Sequence, residues 1–271
     1  MQTQQIEKSL QPSGQEALAK QMGNRFSADW KSNDHRARRL LAEFIGTSGL
    51  TFVLSGGAAI LAGYGGAELA AYQYAFILST VAALWLVAAV YFLGDISAHF
   101  NPAMTLAFTM RGDMGMPMAT AYILVQFIAA SAGSCLAGAL FGMGGNLAAT
   151  IPQLGMVWQP IVFEAILTFG MTLLVLSMAD GPKLNGAYIP LAVGAYVMAM
   201  GTMGGPFDGA AFNPARAFGP DFARGDLSTY WIYPTGSIIG VIVSVCVARI
   251  LRGPSKAQEA NAAMGTPLNR E

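Results

Sequence analysis

Two tripeptides in this sequence are suited both to starting a helix and to holding a polar solute. Asn101-Pro102-Ala103 recurs as Asn213-Pro214-Ala215. Asn is a favoured N-cap because its side-chain oxygen accepts from the first free backbone N–H groups of a helix. Pro at the first helical position has no N–H to leave unsatisfied, and its φ already suits the helix. Each tripeptide therefore predicts a short helix, near 101–110 and 213–223, whose start carries partial positive charge. Each Asn amide keeps N–H donors for a passing oxygen. When two such segments enter a membrane from opposite faces, their positive ends meet at mid-depth and oppose cations and protons. Arg216 directly follows the second tripeptide. It reads either as a fixed cation that donates to solute and repels cations, or as an interfacial arginine reaching for water. One such tripeptide is weak evidence, and two in equivalent places are strong.

Other chemistry finds little support. Of the two histidines, only His99 lies in an apolar region, and no HExxH or GxSxG pattern occurs. Intramembrane hydrolysis needs a nucleophile and base, or metal ligands, at one site. Cys135 and Cys246 sit in apolar runs and read as small buried hydrophobes, not a disulfide or metal pair. No cofactor or metal is expected, and the reading is a channel, not an enzyme. An ion-coupled transporter is a rival, since such proteins also use inverted repeats, but it needs an ion-binding or titrating site.

The elements that must position these residues follow from composition. Of 271 residues, 54% are hydrophobic and only 11% charged, against about a quarter charged in a soluble domain. With a mean hydropathy of +0.47, this points to lipid as the solvent. The formal net charge of zero offers no footprint for nucleic acid. Six runs are long enough to cross a bilayer, near 39–63, 72–94, 117–141, 160–179, 186–205 and 228–251. Arg and Lys gather on one side, with Arg36, Arg38, Arg39, Arg111, Lys183, Arg249 and Arg252 among them, while 64–71 and 142–159 have none. Arg216 and Arg224 are the exceptions. Both termini are therefore expected in the cytoplasm. Residues 1–36 and 253–271 read as polar tails flanking a channel domain at 37–252, in the cytoplasmic (plasma) membrane.

Segments 95–112 and 206–224 are too apolar for solvent loops and too short to span. Such pairs in matching positions read as half-helices that enter and return. The halves also repeat: Glu43-Phe-Ile-Gly-Thr-Ser-Gly-Leu-Thr51 and Glu164-Ala-Ile-Leu-Thr-Phe-Gly-Met-Thr172 share ExIxTxGxT. Three spans per half force the second half to be inverted. The predicted fold is an all-α membrane protein of six transmembrane helices plus two re-entrant half-helices in an inverted 3+3 repeat.

The stretches GDISAHFNPAMT (94–105) and GPFDGAAFNPARAFGPD (205–221) resemble the two signature loops of aquaporins, and the likeness extends over about 37–252. The resemblance implies an hourglass fold, a homotetramer with one pore per subunit embedded in membrane lipids, and passive bidirectional flow. By the same resemblance Asn101 and Asn213 match the pore asparagines, with Pro102, Ala103, Pro214 and Ala215 starting the half-helices. Arg216 matches the arginine of the outer filter. Ala82 falls at the second-helix filter position (Val81 if no gap is allowed), Gly201 at the fifth-helix position and Ala210 in the loop. Glu43, Glu164 and His99 match buried supporting residues, and a structural role is favoured over proton relay. Departures from the family pattern are the loop Ser97-Ala98-His99, one residue short, and the acids Asp95 and Asp208. The small filter residues favour water plus glycerol, urea or neutral metalloid acids. Ala217, after the arginine, favours the alternative of a mainly water-selective pore. Phe207 and Phe212 are the side chains that could refill such a filter.

Overall fold

The structure, a computed structural model, describes residues 33–65, 68–153, 155–178 and 188–253. Both expected tails, apart from their edges, and Lys183 lie outside them. The described residues form eight α-helices, a short left-handed turn and no strand. Five helices are long and apolar enough to cross a membrane: α1 (Asn33–Gly63), α2 (Ala71–Leu93), α4 (Met116–Phe141), α5 (Trp158–Met178) and α8 (Ile232–Arg252). The remaining spanning helix, α6 (Ile189–Asp208), fifth of the spans in chain order, is diluted by Gly194, Gly201, Gly204 and Gly205. Two helices are too short to span, α3 (Pro102–Arg111) and α7 (Pro214–Arg224). The sequence placed the end of the fifth span at 205. The helix instead runs through Pro206 and stops at Gly209, which takes φ 93° and donates its N–H to Gly205 O; glycine adopts that left-handed conformation without a Cβ penalty.

The packing maps onto itself when the halves are exchanged. α1 packs on α4 as α5 packs on α8; α3 packs on α8 as α7 packs on α4; α2 and α6 pack on each other. Because each half contributes three spanning helices, the halves run in opposite directions and the two short helices enter from opposite sides.

The shared ExIxTxGxT letters have a physical reason. A Cβ added to Gly49 would lie 1.9 Å from the Trp85 ring, and one on Gly170 would lie 2.3 Å from Tyr196 Oη. In each half the glycine admits an aromatic side chain from the next helix. That aromatic then bonds the carbonyl three residues after the repeat's glutamate: Trp85 Nε1 donates to Gly46 O at 2.9 Å, and Tyr196 Oη donates to Leu167 O at 2.9 Å. The closing threonines tie helices together, Thr51 to Ala130 O at 3.0 Å and Thr172 to Ser244 Oγ at 2.6 Å. Between α5 and α8, Gly236 and Gly240 face Ile161 O and Ala165 O so closely that a Cβ would come within 2.6 and 2.4 Å. Small residues let backbones approach where lipid gives no hydrophobic drive between helices.

The outer surface carries Leu41, Leu84, Leu124, Ile128, Ile166 and Ile250, all exposed, as expected of a face turned to acyl chains. Tyr64, Tyr72, Trp158 and Trp231 are exposed at helix ends, where amphipathic rings favour the headgroup level. Cys135 and Cys246 correct an expectation: both are free and exposed on this face, not buried in the protein. In a membrane protein an apolar run does not separate a lipid-facing cysteine from a packed one, since both surroundings are apolar.

Gly49→Ala is expected to destabilise the fold by about 1–3 kcal/mol, because the added methyl overfills a packed site. Gly63→Ala, where a Cβ meets nothing within 4 Å, should be close to neutral. Aggregation temperatures of the two variants in the same detergent check this; equal temperatures would contradict it.

Candidate functional site

The two short helices meet at their starts. Asn101 and Asn213 both hold extended backbone (φ −158° and −153°) and cap their own helices, Asn101 Oδ1 accepting from Ala103 N–H and Asn213 Oδ1 from Ala215 and Arg216 N–H. Each amide then crosses to the other half. Asn101 Nδ2 donates to Phe212 O at 2.9 Å, and Asn213 Nδ2 donates to Phe100 O at 2.9 Å. This reciprocal pair leaves one N–H on each amide free among the described residues, and both asparagines line the central cavity. Pro102, Ala103, Pro214 and Ala215 form the buried first turns behind them.

Presenting these carbonyls requires strained backbone. Phe100 and Phe212, each directly before its asparagine, have φ of 50° and 33°, and Ala210 has 45°. Such conformations cost non-glycine residues on the order of 1–3 kcal/mol each and persist only when surroundings over-determine them. The buried glutamates supply that constraint. Glu43 accepts from His99 N–H and Phe100 N–H, both at 2.8 Å, and also from Ser97 Oγ and Gln126 Nε2. Glu164 accepts from Ala211 N–H at 2.6 Å and Phe212 N–H at 2.7 Å. The first loop, although one residue short, thus keeps the same grip on the two residues before its asparagine. Upstream of that grip, Ile96 and Ser97 N–H both donate to Leu93 O at 2.8 Å. His99 is buried, its ring stacked on Phe108 and edge-on to Tyr122, with Nδ1 3.1 Å from Thr105 Oγ1.

Arg216 is buried in the second half of the site. Its Nη1 donates to Ala148 O at 3.1 Å and its Nη2 to Gly209 O at 3.4 Å. Ala148 belongs to a turn, Gly144–Ala148, in which Gly145, Asn146, Leu147 and Ala148 all have φ between 51° and 57°. Ser55 on α1 holds that turn through Leu147 O at 2.9 Å. Asp208, whose role was open from sequence, is fully buried, caps the loop by accepting from Ala210 N–H, and receives Tyr233 Oη on its carbonyl at 2.8 Å. Its Oδ2 has no hydrogen bond among the described residues. Asp95 is exposed at the end of α2. Arg224, the other basic exception, is held by Asp221 and Asp226 at 3.4 and 3.5 Å. The Asp226 carboxyl lies below the usual carboxylate range because the Ser228 hydroxyl and N–H bond it.

A cavity of about 460 Å³ runs past the two asparagines and Arg216. Ala82, Gly201, Ala210 and Arg216 all line it, as do Asn101, Asn213, His99 and Phe212. Phe207 does not; its ring packs against Phe163 with centroids 5.1 Å apart. Much of the remaining wall is apolar, from Leu50, Leu54, Leu78, Leu86, Met171 and Val197.

The family model described as Major intrinsic protein matches residues 29–248. The chain belongs to the major intrinsic protein family. As a member of that family it is an integral membrane channel for small solutes. Its relatives include Aquaporin NIP1-1 of Zea mays, 33% identical over 81% of this chain and 76% of the relative. Nodulin-26 of Glycine max is 31% identical over 81% of this chain and 79% of the relative. Aquaporin TIP4-1 of Zea mays is 34% identical over 75% and 81%. The solved structure of the aquaglyceroporin from Plasmodium falciparum superposes with a TM-score of 0.67 at 20% identity, covering 80% of this chain and 97% of that one. That likeness bears on the fold, an aquaporin-type arrangement of six spanning and two half-spanning helices.

Within this family member, three contributors escaped the sequence reading. The carbonyl of Ala148 sits on Arg216 although residues 142–159 look like an ordinary loop; the run Gly144-Gly145-Asn146, rich in residues tolerant of positive φ, is the signal that could have found it. Gln126 braces Glu43 from α4. Ser79, on α2, faces Gly201 across the cavity wall.

Proposed function

We propose that this chain forms a passive pore for water and for small uncharged solutes such as glycerol, urea or neutral metalloid acids, and that it excludes protons and ions. The observation that carries the reading is the wall at Ala82, Gly201 and Ala210: three nearly bare positions share the cavity with Arg216. Pore width and the lining donors decide selectivity, and small side chains there leave room for a solute wider than water. In this reading Asn101 and Asn213 offer their spare amide N–H groups to the solute, the starts of α3 and α7 repel cations, and Arg216 adds a fixed positive charge with donors. Glu43, Glu164 and His99 support the backbone and relay no protons. The channel domain is 37–252, with 1–36 and 253–271 as cytoplasmic tails. The assembly is a homotetramer in the lipid of the cytoplasmic membrane. A mainly water-selective pore is the second reading, favoured by Ala217 following Arg216 and by Phe212 in the lining.

Stopped-flow measurements on proteoliposomes test this directly. Glycerol and urea are expected to equilibrate faster than in empty vesicles, without saturation and without dependence on a proton or sodium gradient. Water flux with exclusion of glycerol, urea and arsenous acid alike would overturn the broad reading in favour of the second. Dependence on an ion gradient would overturn both.

A further inference from the structure

We propose that the hydroxyl of Ser79 is a specificity-determining group of this pore, taking the place of the side chain that Gly201 lacks and hydrogen-bonding a hydroxylated solute in transit. The inference rests on the polyol-conducting reading above. A Cβ built on Gly201 would stand 2.4 Å from Ser79 Oγ and 3.0 Å from Ser79 Cβ. The serine therefore occupies the space into which a side chain at 201 would grow, and both residues line the cavity.

The hydroxyl is also unspent. Hydroxyls inside apolar helices usually bond the carbonyl one turn back. Thr80, the next residue, does so with Phe76 O at 2.7 Å, and Thr109, Thr202 and Thr235 do likewise. Ser79 takes no hydrogen bond among the described residues, although its residue is only 8% exposed. The Ser79 oxygen is not among the fully buried oxygens that lack a partner, so it opens into the cavity, where water or a solute can bond it. On the same α2 wall Ala75, Leu78, Ala82 and Leu86 offer no polar side chain, and the Tyr74 hydroxyl donates to Gly145 O at 3.4 Å. Arg216 and the asparagine amides present donors only, and two carbonyls nearest the arginine, those of Ala148 and Gly209, already accept from it. A solute hydroxyl that accepts from one of these donors still has a proton to give. The Ser79 oxygen can accept that proton, and its own O–H can rotate to donate to a neighbouring hydroxyl. A triol passing through loses several water hydrogen bonds at once, so a rotating donor-acceptor matters more to it than to water.

The test is the ratio of glycerol to water permeability measured in the same proteoliposomes, which cancels differences in the number of folded channels. Ser79→Ala is expected to lower the ratio roughly two- to tenfold, the equivalent of one hydrogen bond. Gly201→Ala reaches the same hydroxyl from the other side. Its methyl must displace Ser79 Oγ, so it should lower the ratio similarly, and the double variant should match Ser79→Ala because no hydroxyl is left to displace, although the two Cβ positions still stand 3.0 Å apart. A purely steric role predicts the opposite sign, since removing Oγ widens the wall. A Ser79→Ala ratio equal to or above that of the wild type, or fully multiplicative effects in the double variant, overturns the proposal. Wild-type vesicles that pass water but no glycerol overturn the polyol reading itself, a result visible before any variant is made.

Discussion

Glu164→Ala is expected to abolish recovery of folded protein, and Glu164→Gln to reduce it strongly while leaving the solute selectivity of surviving channels unchanged. The carboxylate accepts from Ala211 and Phe212 N–H at 2.6 and 2.7 Å in a fully buried site. Alanine leaves both donors unsatisfied, at about 1–3 kcal/mol each. The strained φ of Ala210 and Phe212 loses its clamp at the same time and is free to relax away from the geometry that presents Asn213. A sum of several kcal/mol is comparable with the whole stability of many proteins. Glutamine keeps one acceptor but turns an NH₂ group toward the second N–H, so one donor is lost instead of two.

The corresponding changes at Glu43 should be milder for glutamine and equally severe for alanine. Glu43 has a neighbour that can adapt: Gln126 donates Nε2 to it while Gln126 Oε1 is buried with no partner among the described residues. With glutamine at 43, a rotated Gln126 can accept from the new NH₂ group. Fluorescence-detected size exclusion gives the yields, and vesicle pH assays give the alternative. A Glu164→Gln protein that folds at wild-type yield would contradict the structural role. A folded Glu→Gln variant whose proton permeability differs from wild type would point to a relay.

The clamp explains why so much of this site is legible from sequence. Asn, Pro and Glu at fixed positions act through the backbone, and backbone geometry is shared by the two halves, so a residue letter repeated in both halves announces a contact repeated in both. Asn101 and Asn213, Glu43 and Glu164, and Gly49 and Gly170 all behave this way. What breaks the repeat is harder to read. The turn that brings Ala148 O to Arg216 has no counterpart among the described residues of the other half, and it acts through a carbonyl that any residue carries. Ser79 is hidden for another reason: counting back from Gly94 places Ala82 at the filter position, but which α2 residue abuts Gly201 depends on how α2 and α6 lie against each other. Helix ends show the same division. The start of α2 was within one residue of its predicted position, while α6 outran its prediction because a glycine and not the preceding proline stops it. The outward-facing cysteines fall on the same side of the divide, since lipid and protein interior impose one composition.

Refilling the wall should convert solute selectivity. Ala82→Phe combined with Gly201→His is expected to cut glycerol and urea flux while water flux persists. The structure adds a condition to that design: a Cβ on Gly201 collides with Ser79 Oγ at 2.4 Å, so Ser79→Ala removes the worst clash and leaves only the 3.0 Å approach to the Cβ of residue 79, and Ser79→Ala alone is the reference. A barrier raised by about 1–3 kcal/mol for the wider solute lowers its flux roughly five- to 160-fold. Water, being smaller, passes a narrowed bore in single file and is expected to lose much less. Arg216 and the paired asparagines are untouched by these changes, so proton and cation exclusion should hold, which a pH-sensitive dye inside the same vesicles checks. Were the triple variant to pass glycerol as well as Ser79→Ala does, the bore would have to be set elsewhere along the cavity. Phe212 is then the side chain to examine, because it lines the lumen with its ring centroid 6.2 Å from that of Tyr196, whereas Phe207 is already committed to Phe163.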